Sequence, residues 1–289
     1  MKYNRVGVVG AGTIGRGVAL TLALTGHSVT LVDVTQQILD DAINLMARDL
    51  KSAALFDAAI RTMHHDEILG RISASTSFED LAWSDFVIEN VTESWPVKAP
   101  IYNLLDELCR EECVIAANTS AISICQLARA TKREDRVLGI HFMNPVRQKP
   151  VVEIIRAEHT SDATIERARE LLKQMGKTGI LVNDKPGFVS NRILMLTINE
   201  AIHVLQDGVA EAQDIDAIFV QCFSHKMGPL ATADLIGLDT ILHTLEVLHE
   251  SYQLEKYAAC ALLQEMVKMG DLGRKSGKGF YNYSFGRKS

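Results

Sequence analysis

The chain has no excess of positive charge: 30 Lys and Arg stand against 36 Asp and Glu, for a net charge of −6. Without a global basic field it is poorly suited to hold a polyanion, so nucleic acid is not an expected partner. CxxC pairs are absent too. The five cysteines, Cys109, Cys113, Cys125, Cys222 and Cys260, are odd in number and scattered, which fits inert thiols in a reducing compartment and points to the cytoplasm. Internal repeats, low-complexity tracts and long linkers are likewise missing. With 47% hydrophobic and 23% charged residues, the composition excludes disorder for the bulk of the chain. At 289 residues the chain exceeds the usual size of one α/β domain and can bury a sizeable core.

One apolar stretch, residues 6–26, has Arg16 as its only charge and follows Lys2 and Arg5, the outline of a signal peptide or membrane span. Glycines at 7, 10, 12, 15, 17 and 26, and a further strand pattern at 28–33, read it instead as strand, turn and buried helix. No membrane partner is expected.

Residues 6–9 form a short β-rich run, residues 14–24 are apolar on nearly all sides of a helix, and residues 28–32 form a second strand, together one βαβ unit. Residues 35–55 read as an amphipathic helix. Further strand candidates lie at 86–91, 113–117, 137–142, 151–155 and 179–182, with helical patterns at about 97–111, 121–129 and 162–175. That alternation predicts an α/β fold, a Rossmann-type doubly wound and mostly parallel sheet. After Pro186 and Gly187 strand patterns cease and long helical periods take over. The expected division is a sheet domain over 1–184 and an all-helical domain over 185–289.

Gly10-Ala11-Gly12-Thr13-Ile14-Gly15 matches GxGxxG, follows a predicted strand, opens a helix and is succeeded by Asp33 at the end of the second strand. This is the context in which the pattern binds a dinucleotide. The first glycine permits the turn, the second lets the pyrophosphate approach, and the third lets helix and strand pack closely. Gly10, Gly12, Thr13, Ile14 and Gly15 are therefore candidate cofactor residues, with the pyrophosphate on the helix N-terminus. Asp33 accepts from the adenosine ribose hydroxyls and repels a 2′-phosphate. No arginine follows it at 34–37, so NAD is favoured over NADP.

His141 ends one strand and Glu153 lies inside the next apolar run. A carboxylate in a buried strand is costly unless paired, and a histidine is a natural partner. Glu153 accepting from one imidazole nitrogen fixes the tautomer and makes the other a base. His64, His65 and Asp66 are adjacent, but neighbouring helical side chains point apart and no second ligand cluster is suitably spaced, so no metal is expected.

The ordered motifs 9–15, 118–123, 141–145, 186–193, 227–230, 237–239 and 272–281 resemble the short-chain 3-hydroxyacyl-CoA dehydrogenase family, in particular its bacterial 3-hydroxybutyryl-CoA members, over nearly the whole length. The resemblance implies His141 as general base, Glu153 as its orienting partner, and Ser120 and Asn191 as substrate contacts. Glu93, Lys98, Asn144 and Lys275 fall where the family places cofactor contacts. It also implies a homodimer, and a substrate held in the cleft between the two domains.

The sequence departs from the family pattern in two places. Residues 48–62 carry few lysines, where related enzymes have several that suit the phosphates of CoA, and Arg147-Gln148-Lys149-Pro150 replaces a more apolar stretch. The expected substrate is a 3-hydroxyacyl thioester of CoA. The alternative is one tethered to an acyl carrier protein, such as a glyceryl unit for polyketide assembly. Two further readings, a free-acid dehydrogenase and a non-catalytic NAD-binding structural protein, are disfavoured. Ser190-Asn191-Arg192 offers the first no lysine base, and an intact Ser120, His141, Glu153 and Asn191 set argues against the second.

Overall fold

The computed structural model describes residues 4–120 and 122–283. Ala121, the first residue of the helix expected at 121–129, and Lys2, ahead of the apolar stretch, lie outside them. The chain divides into two compact units between Lys185 and Pro186.

The first unit runs β1 (Arg5–Val9), α1 (Thr13–Leu24), β2 (Ser28–Val32), α2 (Gln36–Phe56), α3 (Ala58–Arg61), α4 (His65–Leu69), β3 (Ile72–Ser75), β4 (Phe86–Glu89), α5 (Trp95–Leu108), β5 (Val114–Ala117), α6 (Ile124–Ala128), β6 (Val137–His141), β7 (Val151–Arg156), α7 (Asp162–Gln174) and β8 (Thr178–Asn183). The strands form one sheet in the order β3-β2-β1-β4-β5-β6-β7-β8. β4, β5 and β6 are buried at every position, as a sheet covered by helices on both faces requires. α2 starts where Thr35 accepts a hydrogen bond from Ile38 N, and turns Leu39, Ala42, Met46, Leu50 and Ala53 inward at helical spacing.

One feature departs from the sequence reading. β3 was not anticipated: of its four residues only Ile72 is buried, so this edge strand has no apolar run to announce it. β7 runs antiparallel to β6, while every other neighbouring pair is parallel. The connection over 142–150 is too short for a parallel crossover, which takes a dozen or more residues.

The second unit is helical: α8 (Ser190–Gln206), α9 (Ala212–Cys222), α10 (Pro229–Ile236), α11 (Leu238–Tyr252) and α12 (Ala261–Met269). Ile198, Ile202, Leu230, Leu238, Ile241, Leu245 and Leu263 form its core. Two buried aspartates tie the segment after α12 to it. Asp234 accepts from Phe280 N and Tyr281 N, and Asp216 accepts from Leu230 N, Ala231 N and the Tyr281 hydroxyl. Burial pushes the Asp234 carboxyl up, against the two N–H groups that pull it down. Among the described residues no helix is long and apolar enough to cross a membrane.

Candidate active site

The glycine turn sits between β1 and α1, beside the point where the strand order reverses from β1 to β4. In doubly wound sheets this switch point is where ligands bind, at the carboxyl ends of the strands. Gly10 has φ +91° and lies against the Asn90 backbone, so a Cβ there would strike it at 2.8 Å. A Cβ on Gly15 would collide with the Gly10 carbonyl, whereas one on Gly12 meets nothing within 4 Å. The space before Gly12 is therefore open, and α1 has neither a side-chain cap nor an acidic residue in its first turn. Both properties fit a pyrophosphate on the N–H groups of Thr13, Ile14 and Gly15. Asp33 Oδ2 accepts from Ala11 N at 2.6 Å and Oδ1 from Val34 N at 2.7 Å. Each carboxylate oxygen keeps a further lone pair for a ribose hydroxyl.

At the carboxyl end of β6, the same end of the parallel strands as the glycine turn, His141 is the direct cross-strand partner of Glu153 on β7. The sheet thus delivers the carboxylate to the imidazole by register alone. Glu153 Oε2 is 2.9 Å from His141 Nδ1, and Ser120 Oγ, from the loop after β5, is 3.1 Å from Nε2. His141 and Glu153 are buried, at 5% and 8% exposure.

The loop carrying Ser120 is gathered by Glu93, whose Oε1 accepts from Ser120 N at 2.9 Å, from Ile122 N at 3.3 Å and from the Thr119 hydroxyl. Asn118 Oδ1 accepts from Phe142 N at 3.1 Å and so ties this loop to the end of β6. Lys98, which the resemblance places among the cofactor contacts, is fully buried, with Nζ 2.7 and 2.8 Å from the two Glu89 oxygens. Glu89 escaped the sequence reading. The reasoning that singled out Glu153, a carboxylate within an apolar strand, applies equally to it.

Asn144 and Arg147 line a cavity of about 410 Å³ together with Arg16, Asp49, Ser52 and Phe56. The turn that carries them is held from below by Lys177, a buried lysine whose Nζ donates to the carbonyls of Val146 and Lys149 at 2.6 and 2.8 Å. Burial lowers the Lys177 pKa. Lys177 was also missed from sequence, since a lone lysine before a strand carries no pattern.

In the helical unit Asn191 is the second residue of α8. The start of that helix is anchored by Arg192, whose Nε donates to the Tyr257 hydroxyl at 3.0 Å and whose guanidinium lies 4.4 Å from the Tyr252 ring centroid. Lys275 is ion-paired with Asp239. Burial opposes ionisation of Asp239, but Lys275 and the Thr240 N–H outweigh it and hold the carboxyl below its usual range.

A doubly wound sheet that presents this glycine turn, with an acid ending the next strand, defines a Rossmann-type, dinucleotide-dependent class of enzyme. Comparison with known proteins narrows the class. The NAD binding domain model of 3-hydroxyacyl-CoA dehydrogenase matches residues 5–185 and the C-terminal domain model of the same enzyme matches 187–283. The 3-hydroxybutyryl-CoA dehydrogenase of Clostridioides difficile is 41% identical over 280 residues, 97% of this chain and 99% of that protein. A probable 3-hydroxybutyryl-CoA dehydrogenase of Deinococcus radiodurans is 42% identical over 98% of this chain and 100% of its own length. The crystal structure of (S)-3-hydroxybutyryl-CoA dehydrogenase from Ralstonia eutropha superposes with a TM-score of 0.92 at 42% identity, covering 98% of this chain and 99% of that one. The chain belongs to the 3-hydroxyacyl-CoA dehydrogenase family and is an NAD-dependent oxidoreductase.

Proposed function

We propose that the protein interconverts a short-chain 3-hydroxyacyl-CoA ester, of the 3-hydroxybutyryl type, and the corresponding 3-oxoacyl-CoA ester. The observation that carries this reading is the imidazole engaged on both nitrogens, by Glu153 and by Ser120, at the end of a strand of the NAD-binding sheet. Glu153 accepts the Nδ1 proton, which leaves the Nε2 lone pair to take the proton of the substrate hydroxyl. NAD, held by the N–H groups of Thr13, Ile14 and Gly15 and by Asp33, would supply the acceptor for the hydride that leaves the hydroxyl-bearing carbon. The Ser120 hydroxyl donates to the reacting oxygen, and in the reductive direction the imidazolium returns the proton to it. The role of Asn191 in this scheme is to hold the thioester carbonyl. Glu93, Lys98, Asn144 and Lys275 serve the cofactor side, Lys98 from its buried place on Glu89. The same reading includes a cytoplasmic homodimer: the five cysteines are free thiols, and the helical unit exposes Ile193, Ile218, Phe223 and Leu235.

Arg16 and Arg147 in the cavity beside Asn144 offer guanidinium groups to the phosphates of CoA. A second reading, a substrate on an acyl carrier protein, is favoured by the single lysine, Lys51, between residues 36 and 62. Oxidation of NADH with acetoacetyl-CoA against acetoacetyl carrier protein tests both. Efficient turnover of the CoA ester supports the first reading and removes the second; turnover of the carrier-bound ester alone reverses them.

A further inference from the structure

Beneath the loop that carries Ser120 lies a charged cluster that the proton transfer itself does not use. Glu89 ends β4 and Lys98 lies in the first turn of α5, and neither side chain is exposed. Besides Lys98, Glu89 accepts from Val91 N through Oε1 at 2.6 Å and from the Tyr102 hydroxyl through Oε2 at 3.3 Å. Burial pushes the Glu89 carboxyl up while the Lys98 ammonium pulls it down, and burial pushes the Tyr102 hydroxyl up as well.

A buried ion pair is a poor device for stability alone, because well-packed apolar residues of the same volume often do as well or better. This one reaches the active loop from two sides. Lys98 Nζ lies 3.2 Å from the Asn118 carbonyl and 3.9 Å from Glu93 Oε2. Glu93, through its other oxygen, holds Ser120 N and Ile122 N, and Asn118 holds Phe142 N next to His141.

We infer that Glu89 and Tyr102 are positioning residues. They hold the Lys98 ammonium against the Asn118 carbonyl and beside Glu93, and thereby fix Ser120 Oγ relative to His141 Nε2 during the reaction. The inference rests on the roles proposed above for Ser120 and His141. Without the Glu89 charge, the carboxylate nearest to Lys98 is Glu93. An ammonium drawn to Glu93 competes with the loop N–H groups for it, and Ser120 loses its place.

The test is a double-mutant comparison of Glu89→Gln, Ser120→Ala and their combination, with acetoacetyl-CoA and NADH, and with NADH affinity measured separately by fluorescence titration. Glu89→Gln is expected to lower kcat at saturating NADH by roughly 10–10²-fold, the scale of a small misplacement of a reacting group. Added to Ser120→Ala it is expected to cost little more, because residues acting through one another are not additive. Additive losses, an undiminished kcat, or a loss confined to NADH affinity overturns the inference. Tyr102→Phe keeps the ion pair and removes only the hydroxyl. It is expected to lower kcat in the same non-additive way, and it carries the test if Glu89→Gln does not fold. An undiminished Ser120→Ala overturns the site reading together with this one, whereas an impaired Ser120→Ala with additive partners overturns this one alone.

Discussion

Ser120 and Glu153 hold opposite nitrogens of one imidazole, at 3.1 Å from His141 Nε2 and 2.9 Å from Nδ1. An ionised carboxylate can only accept, so Nδ1 carries the proton and Nε2 faces the serine with its lone pair. Glu153→Gln nearly preserves the shape but removes the charge that stabilises the imidazolium, and its amide can donate to Nδ1 and so favour the wrong tautomer. We expect kcat with acetoacetyl-CoA and NADH to fall by roughly 10²–10⁴-fold in this variant and in His141→Gln, with NADH affinity retained. Native turnover in His141→Gln would remove the imidazole from the proton transfer.

Asp33 braces the glycine turn through Ala11 N while keeping lone pairs for the ribose. Its charge is also what disfavours a 2′-phosphate. Asp33→Asn is expected to lower kcat/KM with NADH by roughly 10–10²-fold, the value of hydrogen bonds to a charged group, and to narrow the preference over NADPH. Steady-state kinetics with both reductants check this, and an unchanged ratio would refute the role of the charge.

Arg147 reaches Asp57 at 3.5 Å and also lines the cavity shared with Arg16 and Asn144. If its guanidinium serves the phosphates of CoA, Arg147→Ala raises KM for acetoacetyl-CoA by roughly 10-fold and leaves KM for acetoacetyl-pantetheine, which has no phosphate, as it was. An equal rise for both substrates would place the effect elsewhere.

Asp85 contributes acid sensitivity to the sheet unit. Burial raises its pKa, but the N–H groups of Arg5 and Asn4 and the Arg110 guanidinium outweigh it and hold the carboxyl below its usual range. A carboxyl lowered in the folded state contributes stability that is present above its unfolded value, about 3.9, and is lost as pH falls through the lower folded value. Asp85→Asn is therefore expected to destabilise the protein by about 1–3 kcal/mol at neutral pH, and the difference from the native chain should shrink below about pH 4. Denaturant melts across that range measure it; a gap independent of pH would contradict the assignment.

What the sequence discloses depends on how local the physics is. The βαβ unit and the glycine turn are legible because their spacing is itself the mechanism: Gly10 and Gly15 stand where any Cβ would collide with backbone. The His141 and Glu153 pair is legible because a carboxylate in an apolar strand demands a partner. Glu89 makes the same demand, but Lys98 lies on a different element, inside a helix pattern. The direction of β7 is not encoded by alternation or apolarity, which look alike read either way along a strand. Only the short 142–150 connection reveals it. The hold of Glu93 on Ser120 N and Ile122 N, 27 and 29 residues away, is purely tertiary and leaves no trace in the pattern.

Because β6 and β7 form a hairpin rather than a crossover, His141, Glu153 and the Asn144 to Arg147 turn all lie on one uninterrupted stretch between Gly139 and Ile155, which are themselves paired. Such a stretch is a heritable cassette. A recombination or graft that exchanges it moves His141 and Glu153 as a matched set, while the turn between the two strands can diverge without disturbing either.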